Sequence, residues 1–244
     1  SGWYRIAGDD ARLMRLIARH ADPDAPCETV LDPLADLFGG ELRRRGPMTS
    51  LVDAAGAPIA ISAPLPGERE RACEIVTRPM RGDEKTVLHG HIGRAVRLGF
   101  MPAAESAMHI HLDATGLQSA SAMHRLVQLF SSERQALHTL AQPNSRCRRL
   151  GPWPKALVDA VSAPDFIDQD WPEARRRLKA TGTEKYCDFN IVNILDGRPE
   201  KRTFEFRILP VHMDVSFAQA WIGLLRRMLA WVETGEGAPP AVAL

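Results

Sequence analysis

Four short runs in this 244-residue chain alternate apolar and ionisable residues with a period of two, and that alternation constrains the fold more than any other feature. Successive side chains of a strand point to opposite faces of its sheet. Over 108–113, Met108, Ile110 and Leu112 share one face, while His109, His111 and Asp113 share the other. Over 203–209, Phe204, Phe206 and Ile208 oppose Glu205 and Arg207. Over 73–77, Cys73 and Ile75 oppose Glu74, and over 187–195 Phe189 and Ile191 oppose Asp188 and Asn190. Placed in one sheet, these runs offer an apolar face to helices. Their polar face pools Glu74, His109, His111, Asp113, Asn190, Glu205 and Arg207. A solvated outer face would favour Thr, Ser and Lys. Carboxylates beside imidazoles suit a divalent cation, and an adjacent Arg suits an anion.

Apolar residues recurring every three or four positions predict helices over 10–20, 86–98, 121–140, 171–180 and 215–232. Asp9 or Asp10 caps the first, which turns Leu13, Leu16 and Ile17 to one face. Val87, Leu88, Ile92 and Ala95 point inward from the second. The third carries a stripe of Met123, Leu126, Val127, Phe130, Leu137 and Leu140. Residues 32–72, rich in Gly, Pro and charge, read as loops around short strands over 49–53 and 58–61. Helices and strands do not alternate regularly, so the expected class is α+β: an antiparallel sheet with helices packed on one face. Residues 1–234 read as a single domain and 235–244 as a flexible tail.

Composition excludes several classes. Hydrophobic residues make up 45% of the chain, too many for disorder. No stretch approaches the ~18 consecutive apolar residues of a membrane span. The net charge of +1 argues against a broad nucleic-acid surface. The four cysteines show no zinc-ribbon spacing, and Cys73 and Cys187 read as buried free thiols of a reducing, cytoplasmic compartment. There is no glycine-rich phosphate loop and no nucleophile elbow.

Three strings, Glu74-Ile75-Val76-Thr77-Arg78-Pro79, Met108-His109-Ile110-His111 and Thr203-Phe204-Glu205-Phe206-Arg207, resemble in order and spacing the amidoligases of the carboxylate–amine ligase superfamily, which includes glutamine synthetase and glutamate–cysteine ligase. Tyr186-Cys187-Asp188-Phe189-Asn190 and Asn144-Ser145-Arg146 add to the resemblance, which covers roughly residues 73–232. It implies a curved antiparallel, glutamine synthetase-like sheet. It also implies ATP-dependent amide formation through an acyl phosphate, with Mg²⁺ or Mn²⁺ at the phosphates. By that resemblance Glu74, His109 and Glu205 bind metal, His111 contacts nucleotide phosphate, and Arg207 contacts the transferring phosphoryl group. Glu205 and Arg207 are thus the catalytic pair, and Asn190 and Arg146 the substrate contacts. The implied partners are a small-molecule or peptide carboxylate and an amine. A γ-glutamyl-type linkage and a homo-oligomer are both compatible with it.

The family's opening strand carries Gly-x-Glu-x-Glu, which this chain does not reproduce. The nearest string is Pro26-Cys27-Glu28-Thr29-Val30, which leaves Glu28 as the one carboxylate for that metal role, or as a surface charge. Glu68 and Glu70 lie near where a further carboxylate of the family could fall, although such a Glu-Arg-Glu-Arg run is more often a solvated loop. His89 and His91 sit in a helical stretch, where positions i and i+2 do not share a face. Two other readings stay open: a non-catalytic nucleotide- or protein-binding descendant, and a metal-dependent hydrolase built on His109, His111 and a carboxylate.

Overall fold

A computed structural model describes residues 4–22, 24–64 and 73–242. Glu68 and Glu70 therefore lie outside the described residues. The chain divides into two compact units, residues 1–103 with 213–215, and residues 104–212 with 216–244.

The first unit is built on a five-stranded sheet. Its strands are β1 (Tyr4–Gly8), β2 (Glu41–Arg45), β3 (Met48–Val52), β4 (Pro58–Pro64) and β5 (Cys73–Ile75), in the order β2-β3-β4-β1-β5. The two-residue connection Gly46-Pro47 closes the β2–β3 hairpin, with Gly46 at φ 56°, a conformation open to glycine at little cost. β5 pairs with β1 in parallel, whereas the other pairings are antiparallel. The expectation of one antiparallel sheet is corrected here: the run from Cys73 joins this mixed sheet, not the sheet of the other three runs. The strands expected over 49–53 and 58–61 are present, whereas β1 and β2 lack a clean alternation and were not foreseen.

Helices α1 (Ala11–His20), α2 (Asp32–Phe38) and α3 (Glu84–Arg97) complete the unit. Asp10 caps α1, accepting from the Arg12 amide at 2.7 Å. Ala11, Met14 and Ile17 are the residues α1 buries, so the inward face is rotated from the expected Leu13, Leu16 and Ile17. Cys73 is exposed, contrary to expectation, because its short strand lies at the sheet edge.

The second unit holds the three-stranded antiparallel sheet β6 (Ala107–Asp113), β8 (Thr203–Pro210) and β7 (Phe189–Asn190), with β8 in the centre. Its helices are α4 (Ala120–Ser132), α5 (Arg134–Ala141), α6 (Lys155–Ser162), α7 (Trp171–Ala180), α8 (Val192–Asp196) and α9 (Val215–Thr234). The expected helix over 121–140 is two helices that meet at Glu133. After that break Leu140 is 46% exposed and leaves the stripe. The expected strand over 187–195 also stops short. The Asn190 side-chain oxygen accepts from the Val192 amide at 2.8 Å, an Asx turn that starts α8.

The apolar alternation of β7 and β8 behaves as read. Phe189, Phe204 and Phe206 meet Phe130 of α4, Trp153 and Trp221 of α9 in one aromatic cluster, with neighbouring centroids 4.8–5.5 Å apart. Such rings bury ~150–250 Å² each and anchor the sheet against its helices. The two residues Arg207 and Ile208 oppose the single His109 across a register shift. Past this bulge Ile208 and Leu209 are both buried. Beyond α9, Trp231 Nε1 donates to the Gly237 carbonyl and the Val242 amide donates to the Glu133 carboxylate. Among the described residues no helix is long and apolar enough to cross a membrane.

Candidate active site

Strand pairing alone assembles the centre of the site. His111 on β6 and Asn190 on β7 each lie directly opposite Glu205 on β8, so three polar residues form one row across the sheet. The next row, Ile110, Phe206 and Phe189, is apolar. This is the period-two reading made three-dimensional.

Glu205 is the hub. Asn190 Nδ2 donates to its Oε2 at 2.5 Å. His109 Nδ1 lies 3.0 Å from Oε1, and both His111 Nε2 and Arg207 Nη1 lie 3.6 Å from the same oxygen. Only 8% of the Glu205 side chain is exposed. Burial raises its pKa, but the His109 and Asn190 hydrogen bonds and the His111 and Arg207 charges outweigh burial and lower it to about 2. A carboxylate held ionised can only accept, so His109 carries a proton on Nδ1. His111 is set by a relay: Asn193 donates to Thr203 Oγ1 at 3.0 Å, and that hydroxyl meets His111 Nδ1 at 3.1 Å.

A second buried carboxylate holds this row in place. Asp188 is fully buried, and its side chain accepts from Arg134 Nε at 2.6 Å, His138 Nε2 at 2.8 Å and the Gly151 amide at 2.8 Å. Its carbonyl accepts from the Arg207 amide at 3.0 Å. The sequence reading grouped Asp188 with Asn190 and overlooked Arg134 and His138; their i, i+4 spacing on α5 was the available signal.

The remaining candidates are placed differently. Asp113, opposite Thr203, closes a turn by accepting from the Thr115 amide and hydroxyl. Arg146 is exposed, its amide bonded to Asn144 Oδ1. Glu74 and Glu28 belong to the first unit. Glu74 pairs with Arg5 at 2.5 Å, and Glu28 sits in an exposed turn whose carbonyl accepts from Thr49 and Arg44. No group of three or more His, Cys, Asp or Glu side chains among the described residues is arranged to hold a metal ion. The donor types do suit a divalent cation, with an ionised carboxylate beside an imidazole.

The depressed pKa sets a pH dependence. Glu205 is lowered from 4.5 to about 2, so its contribution to stability is complete above pH 4.5 and is lost as pH falls through about 2. That contribution is on the order of 3 kcal/mol. The unfolding free-energy difference between wild type and Glu205→Gln, from urea titrations, is expected to be flat above pH 5 and to shrink toward pH 2. A difference that stays constant would mean these partners do not hold the carboxylate ionised.

No curated protein and no solved structure matches this chain. A family model described as "Putative amidoligase enzyme" matches residues 1–229, nearly the whole chain. With Glu74 on β5, His109 and His111 on β6, and Glu205 and Arg207 on β8 all inside the matched span, the chain belongs to this amidoligase family.

Proposed function

We propose that the protein is an ATP- and divalent-cation-dependent carboxylate–amine ligase. The observation that carries this reading is the buried, ionised Glu205 ringed by His109, His111, Asn190 and Arg207. Family membership supports amide-bond formation, and the chemistry of this ring supports the route. In the reaction, a carboxylate oxygen attacks the γ-phosphorus of ATP, the bond to the bridging oxygen breaks and ADP leaves. An amine nitrogen then attacks the acyl carbon of the acyl phosphate, the C–O bond breaks, inorganic phosphate leaves, and the nitrogen gives up a proton.

Each residue has a part in that sequence. A bound Mg²⁺ or Mn²⁺ would offset the charge of the nucleotide's phosphates. Glu205 and His109, through Nε2, are the groups in this row that would hold it. The Glu205–His109 bond fixes the imidazole ring, so little reorganisation is needed on binding. His111, held by Thr203, offers a nitrogen donor to phosphate. Arg207 brings a fixed fork to an anion whose charge is moving. Its Nε is buried with no hydrogen-bond partner among the described residues, a donor waiting for an acceptor.

The test is a melting curve with Mg²⁺ and a non-hydrolysable ATP analogue. A ligand at ~100-fold its Kd adds about 2.7 kcal/mol, which a melt resolves. A Mg-dependent upward shift in wild type that weakens in Glu205→Gln is the expected result. No shift with any divalent cation would sink the ligase reading.

A further inference from the structure

Helix α1 carries two leucines that its own core does not take up. Ala11, Met14 and Ile17 are buried, whereas Leu13 and Leu16 are half-buried. With Asp10, Arg12 and Phe38 of α2 they line an open cleft of about 290 Å³. That is close to the lower end of ligand clefts, ~300–1,000 Å³. Phe38 is 41% exposed and its neighbour Leu37 51%. Large apolar side chains grouped around a recess with a polar rim mark a contact surface.

The charge on the α1 edge of this cleft is of one sign. Arg12, Arg15 and Arg19 are exposed and follow one another at helical spacing, and α1 contains no acidic residue. The carboxylate that lines the cleft, Asp10, is already shared between Arg12 at 2.8 Å and Arg94 at 3.0 Å. Arg15 and Arg19 have no acidic partner among the described residues. On the α2 side Asp36 is exposed, so the excess of positive charge belongs to α1.

These features select the occupant. In a symmetric pair of this chain the face would meet itself, setting one arginine row against another. An anionic bilayer is flat and takes up an apolar face that stands proud. Helix α1 gives that face to its own core, and Leu13 and Leu16 lie in a recess. A polypeptide helix can bring an apolar ridge and a flank of carboxylates together, and such helices dock in grooves of this kind.

We propose that the cleft between α1 and α2 is a docking site for a partner polypeptide. The partner segment is an acidic amphipathic helix. Its apolar side chains enter among Leu13, Leu16 and Phe38, and its carboxylates meet Arg15 and Arg19. The site lies within the first unit and does not depend on the ligase reading.

Fluorescence anisotropy of the full chain tests this with labelled peptides of about 15 residues, long enough to form a helix. One has Leu at i, i+3, i+4 and i+7 and Glu on its other positions. A second has Lys for every Glu, and a third has Ser for every Leu. Wild type is expected to bind the first at least ~10-fold more tightly than either control, with affinity that falls as salt rises. Phe38→Ser, and Arg15→Glu combined with Arg19→Glu, are each expected to lose ~10-fold or more. Both variants alter exposed side chains and are expected to melt as wild type does. Should either melt lower, the two control peptides on wild type still decide. An acidic peptide that does not bind, that binds no better than its Lys counterpart, or that both variants leave unaffected would overturn the proposal. Binding to phosphatidylserine vesicles that the same variants abolish, without peptide binding, would assign the face to a membrane and also overturn it.

Discussion

Arg207→Ala is expected to lower amide formation, read as ADP released with MgATP, a carboxylate and an amine, by ~10³-fold or more. Arg207 is 8% exposed, and its guanidinium lies 3.6 Å from the Glu205 carboxylate. A guanidinium in such a place stabilises charge that spreads over equatorial phosphoryl oxygens during transfer, and solvent cannot replace it. The effect is expected in turnover more than in fold. The Arg207 amide keeps its bond to the Asp188 carbonyl whatever the side chain is, so β8 stays anchored. Arg207→Lys retains the charge but not the fork, and less than about a tenth of wild-type turnover is expected to return. ADP release within tenfold of wild type in Arg207→Ala, with an unchanged melting curve, would remove Arg207 from the chemistry.

The site was legible where its geometry is local. A period of two places Glu205 and Arg207 on one face of a strand whatever the strand pairs with, and the row His111, Glu205, Asn190 follows once three strands align. What sequence alone could not supply is pairing. Glu74 shares its strand pattern with Glu205, yet its strand runs parallel to β1 in the other unit's sheet, a partnership set by contacts far apart in sequence. Local chemistry also overrode periodicity twice. The apolar stripe continues through 121–140, but the helix breaks at Glu133, and that break brings α5 into position for Asp188. The run after Asn190 is β-branched and apolar, as a strand would be, but the Asn190 side chain bonds the Val192 amide and turns it into a helix.

That break at Glu133 makes Asp188 the residue on which β7, β8 and α5 converge. Its carboxylate has three donors, two of them on α5, and its main chain bonds both Gly151 and Arg207. Burying a lone carboxylate is costly, and three good donors offset that cost only while all are present. Asp188→Ala would leave the Gly151 amide without an acceptor and the guanidinium of Arg134, 32% exposed, without its anion. The expected loss is about 3–5 kcal/mol, or a fall in Tm on the order of 10 °C. Arg134→Ala should cost less, because it removes a partly solvated partner and leaves His138 and Gly151 in place. Asp188→Asn should fall between, since its amide still accepts on one oxygen. The ordering matters more than any single value. If Asp188→Ala melts within about 2 °C of wild type, the carboxylate is not holding α5 to the strands. The position of Arg207, and with it the arrangement of the Glu205 row, must then be set by the aromatic packing beneath the sheet.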